Sequence, residues 1–252
     1  MSIPKVIHYC WLSNDPLPAK LAHCVETWKQ KCPDYEIINW NFERLGDDCP
    51  IWVKQAFQTK KYAFAADWIR AYVLYSYGGI YLDSDVEVLK NFDNLLDNKY
   101  ILSYEADSTE TIEAAVMGAE KGLNFFHDLL AYYDNREFIK EDGTLDTFPL
   151  PHIINQITKN KYTIIPIQNP EVLRSHKYES NNLLILPPDY FSPKSLETGK
   201  INLTNNSYTI HHFAATWTTK SHKRKRALRQ KYPKIMRFIV ICKHILNGTR
   251  PI

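Results

Sequence analysis

The chain has 252 residues, 44% of them hydrophobic and 23% charged, the composition of a folded globular protein rather than a disordered one. Its five cysteines (Cys10, Cys24, Cys32, Cys49, Cys242) lack CxxC spacing, which excludes a disulfide framework and a zinc site and points to a reducing compartment. The net charge of +3 divides unevenly: from Thr219 onward there are 11 Lys/Arg and no Asp or Glu, leaving 20 basic and 28 acidic residues in the first 218.

A mildly acidic body with a basic tail implies contact with nucleic acid or an anionic membrane surface, and the body must decide between them. No stretch reaches the ~18–20 uninterrupted apolar residues of a membrane span. The first residues, Met1 to Lys5, do not resemble a signal peptide.

In chain order, Lys5–Trp11 is short, apolar and partly alternating, the pattern of a buried strand. Pro18 opens a helix to Lys31 in which Leu21, Val25 and Trp28 recur at helical spacing. Tyr35–Trp40 reads as a second strand and Tyr62–Tyr77 as a long helix, stopped by Gly78-Gly79. Gly79–Leu82 is a strand running into Asp83-Ser84-Asp85, and Val86–Leu89 continues extended. Further strands are expected at Tyr100–Tyr104, Tyr162–Ile167, Leu183–Leu186 and Ser207–Phe213. Helices are expected at Leu123–Tyr133 and from Pro151 to Thr158, with a loop over Asp142–Pro151 between them. Strands alternating with helices indicate an α/β domain with a mainly parallel sheet. No linker divides residues 1–218, so the expected organisation is one domain, 1–218, followed by a basic helical tail, 219–252, broken near Pro233.

The segment Ala65–Glu87 carries the chemistry. Asp83 and Asp85 follow a strand and so stand at the carboxyl edge of the sheet, where open α/β folds bind ligands. Two carboxylates flanking one residue of a turn can converge on a hard cation such as Mg²⁺ or Mn²⁺. Taken alone, so short a pattern is more often that of a solvated acidic turn. Asp67 and Arg70 share one face of the preceding helix. That helix otherwise has core composition, so the charged pair needs partners that a polar ligand at the sheet edge would supply.

Three blocks resemble glycosyltransferase family 32. The first is Ile3-Pro4-Lys5-Val6-Ile7-His8-Tyr9-Cys10-Trp11, similar to the family's opening block, with Ser13 where a Gly is usual. The second matches the family's DxD region at Asp67, Arg70, Leu74, Tyr75, Gly78, Gly79, Ile80, Tyr81, Asp83 and Asp85, with Ala71 after the Arg and the tyrosine displaced to Tyr72. The third, Ile210-His211-His212-Phe213-Ala214-Ala215-Thr216-Trp217, resembles the closing block with Thr in place of Ser. The blocks occur in the family's order and bracket residues 3–217.

The resemblance implies a GT-A-type, Rossmann-like nucleotide-sugar-binding domain and a retaining, metal-dependent hexosyltransferase. It places Trp11 on the nucleotide base, an aromatic stacking contact, against a core reading of the same side chain. Asp67 and Arg70 would hold donor sugar and phosphate groups, and Tyr81 would lie over the donor. Asp83 would contact ribose or sugar hydroxyls and the metal, and Asp85 would ligate the metal directly. His211 or His212, with Thr216 and Trp217, would close the site. From a regular strand the two histidines face opposite ways, so only one of them can point into it. A divalent ion, Mn²⁺ or Mg²⁺, is implied as cofactor, with a UDP-sugar favoured as donor over a GDP-sugar.

The acceptor expected is a surface-polysaccharide (capsule-type) or lipid-linked oligosaccharide intermediate. The expected location is the cytoplasm, with the tail either on the anionic inner face of the membrane or packed as a solvated basic helix on the acidic body. Two other readings compete: a toxin-like effector that glycosylates a host protein, and a nucleic-acid-binding protein that uses the tail. The acidic body, with no recognisable nucleic-acid module, argues against the second.

Overall fold

Two crossovers build the centre of the molecule. In the computed structural model, which describes residues 2–46, 49–108, 110–175, 181–214, 224, 227–228 and 230–232, strand β1 (Val6–Cys10) leads into helix α1 (Ala19–Lys31) and returns as β2 (Glu36–Trp40), parallel to β1. Two short helices, α2 (Phe42–Leu45) and α3 (Ile51–Gln58), precede the long α4 (Tyr62–Ser76). Strand β3 (Gly79–Leu82) then pairs parallel with the other side of β1. Three parallel strands therefore present the ends of β1 and β3 at one carboxyl edge, the edge at which such sheets bind ligands.

The turn between α4 and β3 explains its two glycines. Gly78 has φ +70° and its amide bonds to Leu74 O, the left-handed termination for which glycine is suited. At Gly79, φ +106°, a Cβ would stand 2.7 Å from Val6 O and 3.1 Å from His8 Nε2. The buried His8 locks this turn. Its Nδ1 accepts from Trp40 Nε1–H at 3.0 Å, which leaves Nε2–H to donate to Gly78 O at 2.8 Å. Burial, the larger effect, lowers the His8 pKa in keeping with that neutral tautomer. The histidine of the opening block is thus a structural part of the sheet edge.

Beyond β3 the sheet departs from the expected pattern. After β4 (Val86–Val88) and β5 (Tyr100–Ile101), strand β6 (Val116–Ala119) inserts antiparallel between β3 and β5, giving the order β2-β1-β3-β6-β5. The sheet is mixed, with a parallel half. The expected strand Tyr100–Tyr104 shortens to β5 followed by single bridges at Ser103 and Tyr104. Helices α5 (Asn124–Tyr132) and α6 (Leu150–Lys161) lie near their expected bounds. Strand β7 (Thr163–Pro166), helix α7 (Glu171–Ser175) and strand β8 (Asn182–Ile185) follow, with β7 parallel to β8. Strand β9 (Thr209–His211) pairs antiparallel with β4 in a ribbon of its own.

Strand β3 is buried on both faces. Ile80 and Leu82 pack with Trp28, Phe92 and Leu186 in one core, while Tyr81 packs with Ile69, Met117 and Phe126 in the other, as the two-residue period of a strand requires. Helix α1 also braces the β4–β9 ribbon: Trp28 Nε1–H donates to Val86 O at 2.7 Å, and Val88 N–H donates to Thr27 Oγ1 at 2.9 Å. Among the described residues no helix is long and apolar enough to cross a membrane. Cys10, Cys24 and Cys32 are unbridged thiols, each pushed up to about 12 chiefly by burial. Thr216, Trp217 and nearly all of the expected tail, 219–252, lie outside the described residues.

Candidate active site

Helix α4 runs antiparallel to β3, so its middle turn delivers Arg70 to Asp83 at the end of that strand. The guanidinium is 6% exposed. Nη2 donates to Asp83 Oδ1 at 3.0 Å and lies 3.6 Å from Asp67 Oδ1, while Nη1 donates to Ala114 O at 2.6 Å. The guanidinium carbon sits 4.8 Å from the centre of the Tyr81 ring, a cation–π contact.

One expectation changes with this geometry. Tyr81 is 1% exposed; its ring forms the floor beneath Arg70 and cannot lie over a donor. Each terminal nitrogen of Arg70 holds one protein acceptor, and one of these is the Asp83 carboxylate, so the guanidinium positions Asp83.

Asp85 is bound from the opposite direction. The β4–β9 pairing sets Val86 against His211. Beyond it, His212 N–H donates to Asp85 O at 3.0 Å and Ala214 N–H to Asp85 Oδ2 at 2.6 Å. Phe213 between them adopts φ +53°, an uncommon conformation for a bulky residue that marks strain retained at a site. Its ring centre is 3.9 Å from that of His211.

Asp83, Asp85 and His211 offer ligand atoms that all lie within 4.8 Å of one another. His212, the other histidine, is not brought to them: its Nε2 is bonded to Glu87 Oε2 at 2.8 Å. The donor set of two carboxylates and one imidazole fits a hard or borderline divalent ion such as Mn²⁺ or Mg²⁺.

Trp11 stands at the same carboxyl edge, just after β1. Its amide donates to Asn39 Oδ1 at 3.0 Å and its indole N–H to Asp15 O at 2.7 Å. The side chain belongs to neither core, which favours the stacking reading over the core one.

Two carboxylates escaped the sequence reading. Ser103 to Glu113 form a hairpin at this edge, with Tyr104 bridged to Ile112 and Glu113 N–H donating to Ser103 O at 2.9 Å. Glu113 is 3% exposed and reaches His211 Nδ1 at 3.3 Å with one oxygen while the other accepts from Ala115 N–H at 2.8 Å. A lone carboxylate in the apolar run Ile112–Met117 was the signal that could have found it. Glu105, on the other arm of the hairpin, gives no such signal.

Charge in the site is unevenly compensated. Burial, reinforced by Asp83 and opposed by Arg70, pushes Asp67 up to about 7. Burial also raises Asp83, with Asp85 adding to the effect and Arg70 opposing it. For Glu113, burial is outweighed by the charge and hydrogen bond of His211 and by the Ala115 amide, which hold it near about 2. For His211, burial is outweighed by Glu113 and Asp85, which bring it to about 9. Burial and the nearby Glu113 push Glu105 up to about 7.

The residue pattern of the family described as "Glycosyltransferase sugar-binding region containing DXD motif" matches residues 18–102, the stretch that holds Asp67, Arg70, Asp83 and Asp85. Residues 18–102 are thus similar to that family, the DXD group resembling glycosyltransferase family 32.

Among curated relatives, inositol phosphoceramide mannosyltransferase 3 of Schizosaccharomyces pombe is 35% identical over 129 residues, 49% of this chain and 35% of that protein. Mannosyl phosphorylinositol ceramide synthase SUR1 of Saccharomyces cerevisiae is 36% identical over 152 residues, 54% of this chain and 37% of that protein. The chain thus spans little more than a third of the length of these relatives, 35% and 37%.

Among solved structures, the PaToxG glycosyltransferase superposes with a TM-score of 0.47 at 18% identity, covering 63% of this chain and 70% of that one. A glycosyltransferase involved in glycosylation of the major capsid of PBCV-1 gives a TM-score of 0.47 at 13% identity, covering 90% and 98%.

Proposed function

We propose that the chain is a metal-dependent, retaining glycosyltransferase of GT-A type that moves one sugar from a nucleotide-sugar donor to a glycan or lipid-linked acceptor. The observation that carries this reading is the convergence of Asp83, Asp85 and His211 at the carboxyl edge of the sheet, with both aspartates inside the family-matched segment. Around them the carboxylates Asp67, Asp83, Asp85 and Glu113 face one guanidinium and one imidazole, an excess of negative charge that a divalent cation would offset.

In this reading Asp83, Asp85 and His211 hold Mn²⁺ or Mg²⁺, which when bound neutralises negative charge on the departing diphosphate. The chain's own residues prepare that site. Arg70 aims Asp83, and the Ala214 amide fixes one oxygen of Asp85 so that the other faces His211. Trp11 offers its indole face to the base. Asp67, beside Arg70, is placed to accept hydrogen bonds from donor sugar hydroxyls. Preorganised charges of this kind act where charge develops on the leaving group and cost no reorganisation at that moment.

The relatives' names speak of mannosyl transfer to inositol phosphoceramide, so a mannosyl donor and an acceptor with a lipid-borne phosphate join the polysaccharide intermediate as candidates. The basic segment from Thr219 onward supports a cytoplasmic enzyme peripheral to an anionic membrane, where each Lys or Arg near the surface contributes up to about 1 kcal/mol.

The test is a donor screen by hydrolysis with UDP- and GDP-sugars, GDP-mannose included, in Mn²⁺ and in excess chelator. Sugar release from one donor that chelator abolishes is the expected result. Release from none of them, or release indifferent to chelator, overturns the reading. Deleting the chain from Lys220 should leave that hydrolysis intact and abolish salt-sensitive retention on anionic liposomes; retention without the segment refutes the membrane part.

A further inference from the structure

The geometry points to Glu113 as the positioning residue that makes His211 a metal ligand through Nε2, an inference that rests on the metal site proposed above. An imidazole can ligate only through a nitrogen that carries no proton, and a carboxylate on the other ring nitrogen keeps the proton there and fixes the ring's direction. Glu113 stands in that relation to His211. One carboxylate oxygen faces Nδ1 at 3.3 Å, while Nε2 faces Asp85 Oδ1 at 3.6 Å, on the side where the cation ligands converge.

The imidazole is held on two sides. The Phe213 ring lies against it with centres 3.9 Å apart. Glu113 is itself unable to swing, because its second oxygen accepts from Ala115 N–H at 2.8 Å inside a 3%-exposed pocket.

The three residues Glu113 to Ala115 also serve the other ligands. Ala115 O accepts from Asp83 N–H at 2.9 Å, and Ala114 O accepts from the Arg70 that aims Asp83. One strip of chain, leading into the antiparallel strand β6, therefore sets both the Asp83 and the His211 ligands. Glu113 does not itself offer a ligand atom to the cluster of Asp83, Asp85 and His211. Both its oxygens have protein partners, so its effect is exerted through the histidine.

The discriminating variant is Glu113→Gln. A glutamine has one acceptor end, and two donors, Ala115 N–H and His211 Nδ1–H, compete for it. Mn²⁺ binding is measured on the full chain by the EPR signal of free Mn²⁺, for the ion alone and with UDP or GDP added. The expected result is wild-type binding, loss of binding in Asp85→Asn, and roughly 10–100-fold weaker binding in Glu113→Gln with a melting temperature near wild type.

A second measurement needs no variant. In wild-type protein with ¹⁵N-labelled histidine, Mg²⁺ should shift the Nε2 resonance of His211 while Nδ1 keeps its proton. Wild-type binding with unchanged affinity in a folded Glu113→Gln overturns the inference and leaves the metal site standing, as does a Mg²⁺ shift at Nδ1. Absence of any Mn²⁺ binding by the wild type overturns the metal reading itself, and the inference with it.

Discussion

Asp67→Asn should stabilise the protein at alkaline pH and have almost no effect at acidic pH. Burial lifts the Asp67 carboxyl from 3.8 to about 7, and the nearby Arg70 does not offset it. Its carboxyl side chain is only 13% exposed, so solvent screening does little to relieve the penalty. Between pH 4 and 7 the folded protein keeps a proton that the unfolded chain has released, and stability therefore falls as pH rises. A shift of about three units at 1.36 kcal/mol each gives an upper value of about 4 kcal/mol, reached in full above pH 7.

Asparagine carries no charge at any pH and resembles the protonated acid in shape. For a chain of this size the difference corresponds to roughly 10 °C in melting temperature at pH 8. Melting curves of both proteins at pH 5, 6, 7 and 8 provide the assay. Because Glu105 and the other acids titrate in both proteins, the difference between the curves isolates residue 67. A difference that does not grow with pH, or a variant less stable than wild type at pH 8, refutes the reasoning. The same variant should bind a donor more weakly, since a carboxylate kept at such a cost to folding is kept for a ligand.

Three further outcomes are expected. Asp85→Asn should fold, because the amide oxygen still accepts from Ala214 N–H, yet lose donor hydrolysis; wild-type turnover in this variant removes Asp85 from the chemistry. Gly79→Ala should cost about 2–5 kcal/mol in denaturant melts, since φ is +106° and the new Cβ meets Val6 O at 2.7 Å; a neutral substitution would show that the β1–β3 edge yields easily. Trp11→Ala should weaken binding of the cognate nucleoside diphosphate by about 1–3 kcal/mol, whatever sugar it carries, with little change in melting temperature; unchanged affinity in a titration returns Trp11 to the rim.

What the sequence revealed and what it hid divide along a physical line. Glycines, helical periodicity and a cap are local signals, and the bounds of α1, α4 and β3 follow from them to within a residue or two. Asp83 and Asp85 were legible for the same reason, since two carboxylates after a buried strand can only emerge at its end. The partners of those residues were not legible. Glu113 is reached through β6, four residues containing a glycine (Val116–Ala119), too short to show a period and paired across 34 residues or more with β3. The choice between His211 and His212 also waited on tertiary structure. Alternation says that one faces the site, and only the register of β9 on β4, Val86 against His211, says which.

Arg70 shows how a family-matched residue acquires a task besides the one its chemistry suggests. A guanidinium near a diphosphate site reads as a phosphate clamp because its forked donors suit oxyanions. Here one donor of the fork holds Asp83, another holds Ala114 O, and its face rests on Tyr81. Nε remains buried and unpartnered, an uncompensated donor of a kind that usually costs about 1–3 kcal/mol. The folded chain tolerates this beside an aspartate lifted to about 7 and a phenylalanine at φ +53°. Each of these departures lies within the ring of residues around Asp83 and Asp85. Three such departures gathered around two aspartates are what a site shaped for a ligand rather than for folding displays.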